Sequence, residues 1–154
     1  MQGNAKVIEF LNEALTAELT AVNQYFIASR MAEDWGYPRL GAEYYDESIG
    51  EMKHADTLIK KILFLEGHPN LQRLDTVMVG ESPIEQFRLN LQMEIAAVQR
   101  YRRGIGVCAE EGDPGTRTLL EELLTQEEHH VDEAESSLEL LSQIGEQLWL
   151  ASWV

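Results

Sequence analysis

The sequence predicts an all-α protein, a four-helix bundle with one long crossover between its second and third helices, and three observations predict it. Four stretches, 6–34, 39–65, 83–111 and 115–144, repeat their apolar residues with the 3.6-residue period of an amphipathic helix, and no segment alternates as a strand does. The breaks after the first and third stretches, Trp35-Gly36-Tyr37-Pro38 and Gly112-Asp113-Pro114-Gly115, are short and rich in turn formers, which forces antiparallel neighbours. The link from Glu66 to Ser82 is much longer. At about 3.3 Å per residue it reaches about 55 Å, beyond the roughly 40 Å length of the second helix, so it can run the whole length of the bundle.

Each element has its own justification. The first helix carries Leu11, Leu15, Glu18, Val22 and Tyr25 in steps of three and four, which sets Glu18 in the middle of an apolar stripe. On the second, Glu51 and His54 lie on the face that continues through Leu58 and Leu65. The third opens at the capping pattern Ser82-Pro83-Ile84-Glu85 and runs Phe87, Leu91, Glu94, Val98, Tyr101 and Ile105 along one stripe, with Glu94 at its centre. The fourth places Glu127 and His130 on the face of Leu120, Leu123, Ala134, Leu138 and Leu141. A weaker periodicity continues through 145–153, where Leu148, Trp149 and Trp153 are apolar.

With 154 residues, 44% of them hydrophobic and 25% charged, the chain suits one well-buried core, and a single domain over 1–154 is expected. No run of eighteen apolar residues exists, and Met1-Gln2-Gly3-Asn4-Ala5-Lys6 lacks the apolar core of a secretion signal, so no membrane association and a cytoplasmic location are expected. The single cysteine, Cys108, excludes an internal disulfide and a zinc ribbon. Twelve basic residues against twenty-seven acidic ones give a net charge of -15, which repels nucleic acid and attracts cations.

A lone carboxylate on an apolar stripe is costly, and here each helix points one inward. The spacing turns that cost into a pattern. Glu18 and Glu94, Tyr25 and Tyr101, Glu51 and Glu127, and His54 and His130 all lie 76 positions apart, as do Leu15 and Leu91, Val22 and Val98, and Leu65 and Leu141. Each hairpin is thus one half of a pseudo-two-fold bundle, and the repeat brings six metal ligands to one centre. Two single glutamates and two Glu-x-x-His pairs are the ligand set of di-iron and di-manganese carboxylate bundles. Four carboxylates neutralise two divalent ions, and without metal their burial and mutual repulsion raise their pKa values. Oxygen-rich sites with one imidazole per ion suit iron or manganese, and the absence of thiolates disfavours zinc or copper(I). Tyr25 and Tyr101 are placed to donate outer hydrogen bonds to the single glutamates. His68 and His129 read as surface residues, and Cys108 as a small core or surface residue.

With these residues in view, the sequence resembles the bacterioferritin family over essentially its full length. The resemblance is carried by Leu19-Thr20-Ala21-Val22-Asn23-Gln24-Tyr25-Phe26, by Glu51-Met52-Lys53-His54-Ala55-Asp56, by Ile62-Leu63-Phe64-Leu65-Glu66-Gly67 and by Pro69-Asn70-Leu71. It implies a ferritin-like bundle with a short C-terminal fifth helix contacting other subunits, in a homo-oligomeric shell of twenty-four chains. It also implies a ferroxidase in which ferrous iron is oxidised by dioxygen or hydrogen peroxide and stored as mineral. The family's di-iron ligands fall on Glu18, Glu51, His54, Glu94, Glu127 and His130. Its haem-ligating methionine falls on Met52, with Leu19, Asn23, Phe26, Ile49 and Leu71 completing a haem b pocket, and a small ferredoxin is the implied electron donor for iron release. Some family members carry histidine and aspartate where this chain has Asp46 and Gly50, which removes support for an auxiliary inner-surface iron site.

Met52 also stands out without the family, since its counterpart at the 76-residue offset is Glu128 and the bundle core does not need it. With Ile49 and Ile59 it forms a second apolar face on its helix. Two rival readings remain at this point: a di-metal oxidase, peroxidase or manganese catalase without mineral storage, and a haem-binding shell whose metal sites are degenerate. Metal loading separates the first from a storage shell, and absence of ferrous oxidation above the buffer rate would mark the second.

Overall fold

The computed structural model describes residues 1–154 and contains five helices and no strand. Helices α1 (Ala5–Asp34) and α2 (Pro38–Phe64) form one hairpin, α3 (Pro83–Glu110) and α4 (Pro114–Ile144) the other, and α5 (Glu146–Ala151) follows α4 directly. The expected boundaries hold to within a residue. No helix is long and apolar enough to cross a membrane.

Local chemistry sets the ends. The Asn4 side chain accepts from the backbone of Lys6 and Val7, and Asp113 accepts from Thr116, so both helices begin on a capped turn. Pro38, Pro83 and Pro114 occupy first-turn positions, where no backbone donor is lost. Ser82 accepts from Glu85 N, but the Glu85 carboxylate turns back to Glu81 N, so the box closes one residue earlier than a standard one. Gly36 and Gly112 hold φ of 96° and 71°, a left-handed conformation open to glycine without strain, and there each hairpin turns.

The crossover is held along α1. Asn70 N donates to Asn12 Oδ1, Asp75 N to Thr20 Oγ1 and Met78 N to Gln24 Oε1, so the segment advances beside α1 in the same direction. The core divides in two. At one end Val7, Phe10, Leu11 and Leu15 pack against Leu58, Ile62, Leu65, Tyr101, Cys108 and Leu120. At the other, Tyr25, Ala28, Ala32, Leu40 and Tyr44 pack together, with Phe87, Met93 and Trp153 against them. Full burial of one such leucine contributes about 1.5–3 kcal/mol, so each cluster is a substantial anchor. The four inward glutamates lie between them.

The tail forms the expected short fifth helix and buries much of its apolar surface within its own chain. Trp149 is 1% exposed within its own chain, meets Phe87 edge-on at 5.2 Å, and donates its indole N–H to Ser137 Oγ at 3.1 Å. Trp153 packs on Trp149, and its carbonyl accepts from Arg39 N. Tryptophan supplies enough area to dock a six-residue helix intramolecularly, and only Leu148 and Val154 keep large exposed apolar surface in this segment.

Candidate metal centre

Four helices each deliver one carboxylate to the space between the two apolar clusters. Glu18, Glu51, Glu94 and Glu127 are all 3% exposed or less. Helical spacing explains the delivery of the imidazoles: Glu51 and His54, and Glu127 and His130, are three apart and share a face. The structure therefore brings together all six residues that the 76-residue repeat selected.

Their mutual geometry divides the four acids. Around His54 Nδ1 lie Glu127 Oε1 at 2.9 Å, Glu18 Oε1 at 3.6 Å and Glu51 Oε2 at 3.6 Å. Around His130 Nδ1 lie Glu51 Oε1 at 3.5 Å, Glu127 Oε2 at 3.5 Å and Glu94 Oε1 at 3.6 Å. Glu51 and Glu127 each offer one oxygen to either imidazole, whereas Glu18 approaches only His54 and Glu94 only His130. The rings lie nearly parallel, 6.4 Å apart. Two sets of ligand atoms gather within 4.8 Å: Glu18, Glu51, His54 and Glu127, and Glu47, Glu51, Glu94 and His130.

These atoms converge without pairing. Glu18 Oε2, Glu51 Oε1, both Glu127 oxygens, His54 Nδ1 and His130 Nδ1 are buried and make no hydrogen bond. Even the 2.9 Å approach of His54 to Glu127 is misaligned for one. Groups left in this state cost several kcal/mol each unless a cation takes the lone pairs, and two cations between the imidazoles fit this donor set of hard oxygens and one nitrogen per ion.

Without metal the cluster holds protons. Burial first, then the neighbouring Glu18 carboxylate, raises the pKa of Glu51 well above the usual range, and burial with contact to Glu127 does the same for Glu94. For His130 burial works against the charged form, but the close Glu127 and Glu94 carboxylates outweigh it and raise the pKa to about 11. His54 is raised by the same balance, against Glu127, Glu18 and Glu51. Glu127 moves the other way: burial is overcome by contacts with Glu94, His130 and His54, and it is held low.

The tyrosine bonds cross between hairpins. Tyr25 of α1 donates to Glu94 of α3, and Tyr101 of α3 donates to Glu18 of α1. Two further contacts carry no repeat signal. His54 Nε2 meets Gln126 Oε1 at 2.7 Å, and His130 Nε2 lies 3.5 Å from Glu47 Oε2. Glu47 precedes Glu51 by one turn of α2, so its face was readable; Gln126 had no such mark. Two clefts border the centre, one of about 230 Å³ reaching Glu18, Glu51 and Glu94 between α1, α3 and the crossover, and one of about 380 Å³ reaching Glu47, Glu94 and His130. The largest surface cleft, about 980 Å³ between α1 and the start of the crossover, contains none of the six.

Of the remaining predicted residues, Leu19, Asn23 and Phe26 lie on α1, Ile49 and Met52 on α2, and Leu71 on the crossover. Met52 is 49% exposed, Phe26 and Leu71 are similarly open, Asn23 is exposed, and Leu19 and Ile49 are half-buried. Arg30 covers the rings of both Phe26 and Tyr45. Ile59 turns instead towards the core cluster. His68 and His129 are exposed, and Cys108 is core.

Comparison with known proteins points one way. Residues 8–144 match the ferritin-like domain. A bacterioferritin of Rhodobacter capsulatus is 48% identical over 147 residues, covering 96% of this chain and 91% of the relative. Bacterioferritins of Streptomyces coelicolor and Mycobacterium leprae are 45% and 43% identical, covering 99% and 100% of this chain and 91% and 97% of theirs.

Proposed function

Since the chain belongs to the bacterioferritin family within the ferritin-like proteins, we propose that it is a ferroxidase and iron-storage protein of the cytoplasm, assembled as a shell of twenty-four copies. The observation that carries this reading is the convergence of six buried metal-ligating side chains whose ligand atoms find no partner in the protein. Ferrous iron is the substrate. Two ions sit between the hairpins, one on His54 and Glu18, the other on His130 and Glu94, with Glu51 and Glu127 shared by both. The approach of each shared carboxylate to both imidazoles supports that division of roles. Each ion gives up one electron to dioxygen or hydrogen peroxide, and the ferric product is stored as mineral inside the shell.

The chain's own groups do three things in this chemistry. Four carboxylates match the charge of two divalent ions, the two tyrosine hydroxyls hold Glu94 and Glu18 in orientation, and binding displaces the protons that the empty cluster retains.

Haem b fits the outer face of the first hairpin. Met52 presents a half-exposed thioether beside an open apolar surface to which one chain contributes a single ligand, so a second copy would supply the other. Met52 would hold the iron, with Leu19, Asn23, Phe26, Ile49 and Leu71 around it. Bound there, haem supplies one-electron transfer, with a small ferredoxin as the electron source for iron release.

Stopped-flow ferrous oxidation on the purified assembly tests the reading. The wild type should oxidise two ferrous ions per chain rapidly and then load hundreds per assembly. Glu94→Ala or His130→Ala should abolish the rapid phase while the shell still forms. Uptake that stops at two ions per chain would instead favour a di-metal enzyme without storage, and a wild-type rate in either variant would remove the site.

A further inference from the structure

The repeat that sets the metal ligands fails at three buried amides, which hydrogen-bond to one another on the Glu94 side of the bundle. Gln24, Gln86 and Asn90 are 0–4% exposed. Their counterparts at the 76-residue offset are Arg100, Phe10 and Ala14, and the latter two belong to the larger apolar cluster. Gln86 and Asn90 therefore stand where the other half of the bundle packs hydrocarbon.

Those amides form one connected chain. Met78 N donates to Gln24 Oε1 at 3.0 Å, and Gly80 N to Gln86 Oε1 at 2.7 Å, so the crossover backbone fixes which way both side chains point. Their nitrogens then meet on one atom: Gln24 Nε2 and Gln86 Nε2 both donate to Asn90 Oδ1, at 3.0 and 2.9 Å. Gln86 Nε2 also returns a bond to Met78 O. Asn90 Nδ2 makes no hydrogen bond, so Asn90 joins the network through its oxygen alone, and the bonds that converge there hold Gln24 and Gln86 in one arrangement.

Both inner ends of this chain abut the Glu94 side of the metal centre. Gln24 immediately precedes Tyr25, whose hydroxyl donates to Glu94. Asn90 lies four residues before Glu94, one turn along the same face of α3. The network therefore clamps α1 to α3 at the level where Tyr25 reaches across, and nothing equivalent stands behind the Tyr101–Glu18 contact.

We propose that Gln24, Gln86 and Asn90 are positioning residues through which the crossover segment Met78–Gly80 sets the Tyr25–Glu94 contact, tuning the Glu94/His130 metal position separately from the Glu18/His54 position. This inference rests on the metal-centre reading above. A purely structural role for the amides predicts lower stability with no preference between the two positions.

The test is anaerobic titration of the full-length assembly with Co(II), followed by its visible absorption. Asn90→Ala removes the atom on which both amides converge. One of the two binding steps should weaken by about 10-fold, the lower end of what losing an outer hydrogen-bonding partner does to a metal site. The affected step should be the one lost in Glu94→Ala, so that Asn90→Ala adds nothing to Glu94→Ala but adds its full effect to Glu18→Ala. Equal weakening of both steps, or no change in either, overturns the inference. If Asn90→Ala does not assemble, Gln24→Met keeps side-chain length and the Gln86–Asn90 bond and must show the same selectivity. A wild-type protein that binds no Co(II) would remove the metal centre itself, a result distinct from two wild-type sites that ignore Asn90.

Discussion

Replacing Tyr25 by Phe deletes one hydroxyl from a fully buried pair and leaves the ring packing against Tyr44 in place. What the deletion costs depends on the charge of its acceptor. In the metal-free protein Glu94 is pushed towards its neutral form by burial and by contact with Glu127, so the lost bond is an ordinary one of about 0.5–1.5 kcal/mol. With metal bound the carboxylate is ionised, and the same bond contributes about 1.5–3 kcal/mol. Thermal unfolding at fixed chain concentration should therefore show a larger drop for Tyr25→Phe in the Co(II)-loaded protein than in the stripped one. The difference of about 1–1.5 kcal/mol should reappear as roughly 10-fold weaker metal binding at one position, since about 1.4 kcal/mol is tenfold. Tyr101→Phe, which strips the bond to Glu18, should do the same at the other position. Equal drops with and without metal, at unchanged Co(II) affinity, would refute the argument that these hydroxyls hold metal-binding carboxylates.

Three further outcomes are expected. The metal-free protein should lose stability as pH rises from about 5 to 9: Glu51, Glu94 and His130 hold protons more tightly folded than unfolded, and the His130 contribution is complete below its ordinary value near 6.5 and fades towards about 11. Co(II) should abolish that slope and release protons into weakly buffered solution, and a flat profile in stripped protein would contradict it. Met52→Leu keeps volume and apolar character but has no sulfur lone pair, so it should eliminate a bis-thioether haem spectrum while two Co(II) ions per chain still bind; a wild-type haem spectrum would withdraw Met52 as ligand. Trp149→Ala should cost about 3–5 kcal/mol of docking energy for α5 and expose Gly145 to limited proteolysis, whereas unchanged cleavage would mean the tail is held by other contacts.

The helices and six candidate ligands were legible because they follow periods, 3.6 within a helix and 76 between hairpins, and each period is enforced by burial. The partners of those ligands were legible only in part: the two tyrosines were assigned to the single glutamates, but not which tyrosine meets which glutamate. Tyr25 lies seven residues from Glu18 on α1, about 10 Å along the axis, so its hydroxyl is drawn to the glutamate of the opposing helix, a pairing fixed only once the hairpins pack. Gln24, Gln86 and Asn90 carried no mark in the sequence, because the crossover backbone that bonds Gln24 and Gln86 has no signature in a helical pattern. The docking of Trp149 was equally hidden: Phe87 and Ser137 lie on two different helices.

The crossover has a consequence for symmetry. Were the two hairpins separate identical chains, every residue behind one metal position would be duplicated behind the other, and the two positions would be alike by construction. Seventeen residues of covalent linkage remove that copying rule. A substitution at Gln24 is not repeated at Arg100, nor one at Asn90 at Ala14, so either half can diverge while the six shared side chains stay matched. Fusion turns a site that would be obliged to treat two ions identically into one free to treat them in order.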